Sequence, residues 1–335
     1  LSLPKLRFNF LEPLISRIFE KIPITSSSRT AKTVWEILTE HEIPSLVVNW
    51  WSTYPVEPIE GVNISMFAIP WDEVSLARIE QLEPTARRRA HPPDAWPDVV
   101  SVMRETAKTI PASRQSTTAE KEKAPMRAEF WDARDALARA LFDHFQAEEQ
   151  RFVTLYLQGI DTTSHHFSET LFGRSTDHPR SPRVGPEIIE QKRLMLDAVY
   201  RRMDGLIADV MARMRPSDVL FVVSDHGWRY DGTTHRLMPD AMLAAFGAPV
   251  RAGALDKPVH VFDVTPTILS YLRVPAAEDM PGRLLHEIFT TEAGRGIEHA
   301  RIVTYGARHQ AGRLGEGDLD TSEYRAKLRS LGYVQ

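Results

Sequence analysis

Three short stretches of this chain gather side chains able to hold a divalent cation. The first is Gln158-Gly159-Ile160-Asp161-Thr162-Thr163-Ser164-His165-His166. Its Asp161 and His165 have i, i+4 spacing, which puts both on one face if the segment opens a helix. The second is Ser224-Asp225-His226-Gly227-Trp228, where adjacent acid and imidazole can turn toward one ion if irregular backbone breaks strand alternation. Gly227 would permit close approach or positive φ there. The third, Gly232-Thr233-Thr234-His235-Arg236, adds one more imidazole. Two carboxylates and three imidazoles suit Zn²⁺ or, less specifically, Mn²⁺. Paired ions about 3.5 to 4 Å apart can clamp the attacking and leaving oxygens of an in-line phosphoryl displacement, which is a reason for so many ligands.

Each segment alone has a plainer reading. An Asp-x-x-x-His helix pair is usually solvated or capping, Asp225 could cap a helix, and His226 could be a satisfied core histidine. Joint occurrence, with two of the three segments ending strongly apolar runs, favours a site. His166 reads as a surface or supporting residue, and His144 and His260 fall outside any ligand pattern. The segment Asn49-Trp50-Trp51-Ser52-Thr53-Tyr54-Pro55 could line a substrate pocket, although a Trp-rich strand end is more often packing.

These residues must be positioned by the elements around them, and the clearest elements alternate between helix and strand periods. That alternation predicts an α/β fold with a mostly parallel sheet covered by helices on both faces. Ser26 to Ser28 offer hydroxyl caps for a helix through Val34, Trp35, Ile37 and Leu38, and Pro44 restarts the chain into Leu46-Val47-Val48. Leu137, Leu141 and Phe145 line one face of a helix over Phe130 to Phe145, ahead of a strand from Phe152 to Leu157. A long helix over Pro186 to Met214 carries Leu196, Val199, Met203, Leu206, Ile207 and Val210 on a stripe, then turns into the strand Val219 to Val223. In open α/β sheets ligands bind beyond the carboxyl ends of strands, where Asp161 and Asp225 fall. Asp263 can cap a helix with Pro266 in its first turn, and Tyr324 to Leu331 reads as a short helix stopped by Gly332. Residues 111–127 and 168–186 are expected to be loops, and 66–127 a cap, an insertion or a set of irregular connections. The whole, 1–335, reads as one domain with a tail over 296–335.

Composition narrows the functional classes. With 41 basic and 45 acidic residues the 335-residue chain carries a formal charge of -4, so nothing draws it to a nucleic-acid polymer or an anionic membrane. It has no cysteine, hence no disulfide and no thiolate metal site; any metal must be held by His, Asp and Glu. No apolar run is long enough to span a membrane and no signal peptide is visible, so a soluble chain of undetermined compartment and oligomeric state is expected.

At these residues the sequence resembles the alkaline phosphatase superfamily, and within it the type I phosphodiesterase and nucleotide pyrophosphatase branch. The likeness runs through Ser26-Ser27-Ser28-Arg29, Trp35-Glu36-Ile37-Leu38, Trp50 to Pro55, Tyr156 to Asp161 with His165, Ser224 to Gly227 and His235. It continues through Asp263 to Leu269, Glu278 to Arg283 and Leu328 to Tyr333, whereas Pro239-Asp240-Ala241 departs from a family loop that often has Gly after Asp. The resemblance implies a three-layer α/β/α sandwich and metal-dependent hydrolysis of a small-molecule phosphate ester or diester. It implies that Asp161, His165 and His235 hold one ion, and that Asp225 and His226 belong to the other. The family's second ion also takes an early Asp and a Thr or Ser nucleophile, and both precede the part that matches Ser26 to Leu38. Neither is found in this sequence, so the expectation is a chain incomplete at its N-terminus, with the nucleophile upstream of Leu1. Thr25 to Ser28 could substitute, but they match a later family segment and helix capping accounts for them. Rival readings are a catalytically inactive binding or scaffold member, a metal-dependent phosphomutase, and a sulfatase whose Cys or Ser signature is absent here.

Overall fold

A computed structural model describes residues 25–70, 73–82, 86–111, 124–171, 185–227 and 240–308. Within 124–130 and at 165, 166 and 168–171 it describes the backbone alone. The expected helix over Tyr324 to Leu331 lies outside the described residues.

The first helix, α1 (Val34–Glu40), is started by Thr33 rather than by the serines before it. Thr33 Oγ1 accepts from the Glu36 N–H at 3.3 Å, and the Glu36 carboxylate accepts from the Thr33 N–H at 2.8 Å. This reciprocal box satisfies two of the amides that a helix start leaves without partners. Ser26–Ser28 instead form a separate 3₁₀ turn headed by Thr25. The expected serine caps are thus corrected: the capping residue lies further along, next to the helix it caps.

Strand β1 (Ser45–Val48) is buried at all four positions, as a strand covered on both faces should be. It pairs in parallel with β2 (Gly61–Ile64) and with β4 (Phe152–Leu155), while β3 (Ala90–His91) runs antiparallel to β2. The order β3-β2-β1-β4 makes a mostly parallel central sheet. Gly61 permits the β1–β2 approach: it has φ of +111°, and a Cβ there would lie 2.1 Å from the Ser45 carbonyl oxygen.

Alternation along β1 divides the core into two faces. Leu46 and Val48 join Ile64 and the buried sides of α2 (Trp96–Thr109) and α3 (Ala124–Phe145), including Val99, Met103, Trp131, Leu137 and Leu141. Each fully buried Leu or Val contributes roughly 1.5 to 3 kcal/mol relative to exposure. Val47 faces the other way, onto Trp35 of α1 and Ile59. Helices therefore cover both sides of the sheet. The stretch read as a cap or as connections supplies β3 and α2, both part of this sandwich. α3 begins at Ala124, so the loop expected through residue 127 ends earlier; 112–123 lie outside the described residues.

After β4 come α4 (Gly159–Leu171) and α5 (Pro186–Arg213), with α4 packed against both α3 and α5. The expected α5 stripe is present, with Val199 and Leu206 buried and the others partly covered. Strand β5 (Leu220–Val223) corrects an expectation. It pairs antiparallel with β6 (Leu243–Phe246) in a second sheet rather than continuing the central one. The Ser224 N–H donates to the Met242 carbonyl and Ser224 Oγ accepts from the Met242 N–H, closing that pair. Its inner face rests on Leu285, Ile288 and Phe289.

Helix α6 (Val264–Tyr271) follows Asp263, whose carboxylate does not cap it. The two oxygens accept from the His260 and Arg283 amides instead. Residues 301–302 pair in parallel with 276–277. No described helix is long and apolar enough to cross a membrane.

Candidate functional site

The chain leaves β4 through Tyr156-Leu157-Gln158 and enters α4 directly. The Thr162 N–H donates to the Gln158 carbonyl at 3.0 Å, which makes Asp161 a first-turn residue. The i, i+4 pair Asp161 and His165 thus lies one helical turn apart on one face, as the spacing implied. The His165 side chain and the whole of His235 lie outside what is described. Asp225 and His226 follow β5, and although β5 belongs to another sheet, its carboxyl end reaches the start of α4.

His226 is where the segments meet. Its Nε2 lies 3.8 Å from Asp161 Oδ1 and 3.8 Å from Asp225 Oδ1. Its Nδ1 is 2.9 Å from the Gly227 carbonyl oxygen. A carbonyl only accepts, so Nδ1 carries the proton and, in the neutral ring, Nε2 presents a lone pair toward the carboxylates. Asp161 and His226 are mostly covered, with side-chain exposures of 23% and 22%, whereas Asp225 at 78% faces solvent. Two carboxylates around one imidazole make an acidic, accessible corner.

Behind this corner sits Asp135 of α3, which no local pattern marks. Its Oδ1 accepts from the Gln158 N–H at 3.1 Å and its Oδ2 from the Gly159 N–H at 2.7 Å. A second polar cluster was also not legible, because its members are far apart in sequence. Arg29 and Arg308 both pair with Glu36, at 3.1 and 2.7 Å, and both pair with Glu57. Arg308 also donates to the Ser26 carbonyl.

The remaining residues singled out in the sequence have ordinary roles. Trp50 donates from Nε1 to Thr154 Oγ1 at 3.0 Å and packs between Trp35 and Tyr156, so its indole is a packing group. Thr25 and Ser26 are buried, and the Ser28 hydroxyl accepts from the Thr25 N–H. His260 accepts from the Phe262 N–H and heads a 3₁₀ turn. His144 stacks edge-on to Phe145.

Comparison with known families matches residues 18–234 to type I phosphodiesterase / nucleotide pyrophosphatase. The chain belongs to this family. That makes it a member of the alkaline phosphatase superfamily and of a group of phosphate-ester hydrolases. No curated protein and no solved structure matches it significantly.

For a type I phosphodiesterase, a divalent metal is the implied cofactor, and the donor chemistry at this corner can be tested against it. Asp161 and Asp225 offer oxygens and His226 an imidazole nitrogen whose other N–H is held by a carbonyl, the usual arrangement behind a metal-binding histidine. Among the described residues no three such side chains close on one point. The donors fit in type, and the set that the resemblance implies includes two imidazoles, of His165 and His235, outside the described side chains.

Proposed function

We propose that this protein hydrolyses a phosphate ester or diester at a divalent-metal site, Zn²⁺ or Mn²⁺, built from Asp161, His165, His235, Asp225 and His226. The observation that carries the reading is the position of His226 Nε2, 3.8 Å both from Asp161 in the first turn of α4 and from Asp225 just past β5. A divalent cation held between these groups would balance two negative charges and use an imidazole nitrogen as a further donor. When bound, the ions would supply Lewis-acid stabilisation of charge developing on the phosphoryl oxygens. The residues of the chain orient that centre: the Gly227 carbonyl fixes the His226 tautomer, and α4 holds Asp161 at its first turn. Asp225, the exposed member, leaves the corner open to a solvent-borne substrate.

The test is turnover of bis(p-nitrophenyl) phosphate by the purified full-length protein with Zn²⁺ or Mn²⁺, and again after chelation. Chelation, Asp161→Asn and Asp225→Asn should each lower the rate at least about a hundredfold, as removing a transition-state stabiliser does. Unchanged turnover in both variants would remove this corner from the reaction. Metal binding that disappears in Asp161→Asn, with no turnover in the parent protein, would instead support a binding member of the family.

A further inference from the structure

We infer that Asp135 is a positioning residue for this site, holding the Gln158-Gly159 turn so that the first turn of α4 presents Asp161 to His226. The inference rests on the proposed role of Asp161 and extends the site to a residue of another helix.

The geometry is specific. Gln158 is the residue before α4 and Gly159 its first, and their N–H groups are among those a helix start leaves without intrahelical partners. Each oxygen of one carboxylate takes one of them, at 3.1 and 2.7 Å. In an ordinary capping box the acid at the third helical position reaches back to the amide before the helix. That position is Asp161 here. Here the Gln158 amide donates to Asp135 instead, and the Asp161 carboxylate lies 3.8 Å from His226 Nε2.

Gly159 belongs to the same device. A Cβ there would lie 2.5 Å from Asp135 Oδ2 and 3.6 Å from Val199 Cγ1, so only glycine lets the carboxylate approach while α5 packs behind the turn. Occupation of these amides has a second consequence. A helix start is a ready anion site, but a buried carboxylate fills this one, so a substrate phosphoryl group must be received elsewhere in the corner.

The Asp135 side chain is 5% exposed, and its desolvation outweighs both amide hydrogen bonds and the nearby Arg134 charge, lifting the carboxyl to about 6. Buried carboxyls with raised values of this kind cluster at functional sites.

The experiment compares Asp135→Asn, Gly159→Ala and the double variant Asp135→Ala/Gly159→Ala with the parent protein and with Asp135→Ala. Asn keeps the volume but turns an amide NH₂ toward one of the two N–H donors. Hydrogen exchange at the Gln158 and Gly159 amides should accelerate at least about tenfold in Asp135→Asn, while Leu137 and Leu141 in the middle of α3 keep their protection. Turnover of bis(p-nitrophenyl) phosphate should fall about 10- to 100-fold in kcat, the scale for groups that orient metal ligands, with KM within about twofold. Gly159→Ala should be harmful in the parent protein but nearly neutral when added to Asp135→Ala, a non-additive pair. Unchanged exchange at residues 158 and 159 in Asp135→Asn would overturn the inference, as would a kcat loss accompanied by lost protection throughout α3. If an Asp135 variant fails to fold, Gly159→Ala carries the same readouts against a parent aspartate. Full turnover in Asp161→Asn would sink the reading of the site, while the exchange data would still decide whether Asp135 holds the turn.

Discussion

Two polar clusters in this molecule both pair carboxylates with nitrogen side chains but differ in charge balance and in exposure. Arg29, Glu36, Glu57 and Arg308 form a neutral set, two cations with two anions, and Arg308 has only 2% of its side chain exposed. Asp161, Asp225 and His226 form an acidic set, partly open to solvent. In the first, burial raises the carboxyl of Glu36, but hydrogen bonds from Thr33 and Arg308 and the charge of Arg29 outweigh it and hold the group below its ordinary value. Glu57 is buried more deeply, and there desolvation outweighs both arginines and moves it up. The contrast is between a buried set whose charges cancel and fasten segments together and an acidic set at an open corner, where the proposed metal would sit.

The comparison breaks most visibly at Arg308. Arg308→Ala would strand Glu36 and Glu57 beside Arg29 and unfasten residue 308 from α1 and the 26–29 turn. A loss of about 3 to 5 kcal/mol is expected in denaturant unfolding, the scale for removing one partner of a buried pair. A change under about 1 kcal/mol would place the cluster among exposed pairs that contribute little.

Asp135 tests the boundary between the two sets, since it is buried like the first and serves the second. Its folded-state value, about 6 against an ordinary 3.8, is raised. Stabilisation from its neutral form is therefore fully present below pH 3.8 and is lost as pH rises through about 6. The gap corresponds to about 3 kcal/mol. Relative to Asp135→Asn, the parent protein should lose stability by roughly that amount between pH 4 and 7.5. Parallel stability curves would show that the carboxylate is better solvated than its burial implies.

Thr33 sharpens the first cluster, because Glu36 is at once a member of it and the partner in the helix cap. Thr33→Ala should cost about 1 kcal/mol in unfolding and leave phosphodiester turnover unchanged. A turnover defect would mean that the fastening network reaches the site.

The smallest stability effect is expected at the site itself. Asp225→Ala removes an exposed carboxylate and should change unfolding stability by no more than about 0.5 kcal/mol while abolishing metal-dependent turnover. Destabilisation of about 2 kcal/mol or more would turn the acidic corner into a structural cluster and erase the contrast.

The sequence by itself was enough for what depends on short-range periodicity. An apolar run and its flanking breakers specify β1, β4, α3 and α5, and the i, i+4 rule places Asp161 and His165 on one face of α4, because side-chain direction follows from backbone geometry alone. The alternation of elements likewise indicates helices on both faces of a mostly parallel sheet. Tertiary structure alone decided what depends on non-local pairing. The Thr33 cap of α1 is an exception, a local Thr-x-x-Glu box that the sequence also carries. β5 pairs with β6 in a second sheet, yet its end meets α4 at His226, a juxtaposition that no local pattern encodes. Asp135 lies 24 positions from Gly159, and Arg308 lies 272 from Glu36. Their importance comes from desolvation and from amides or charges brought together by packing, and those energies do not exist until the chain has folded.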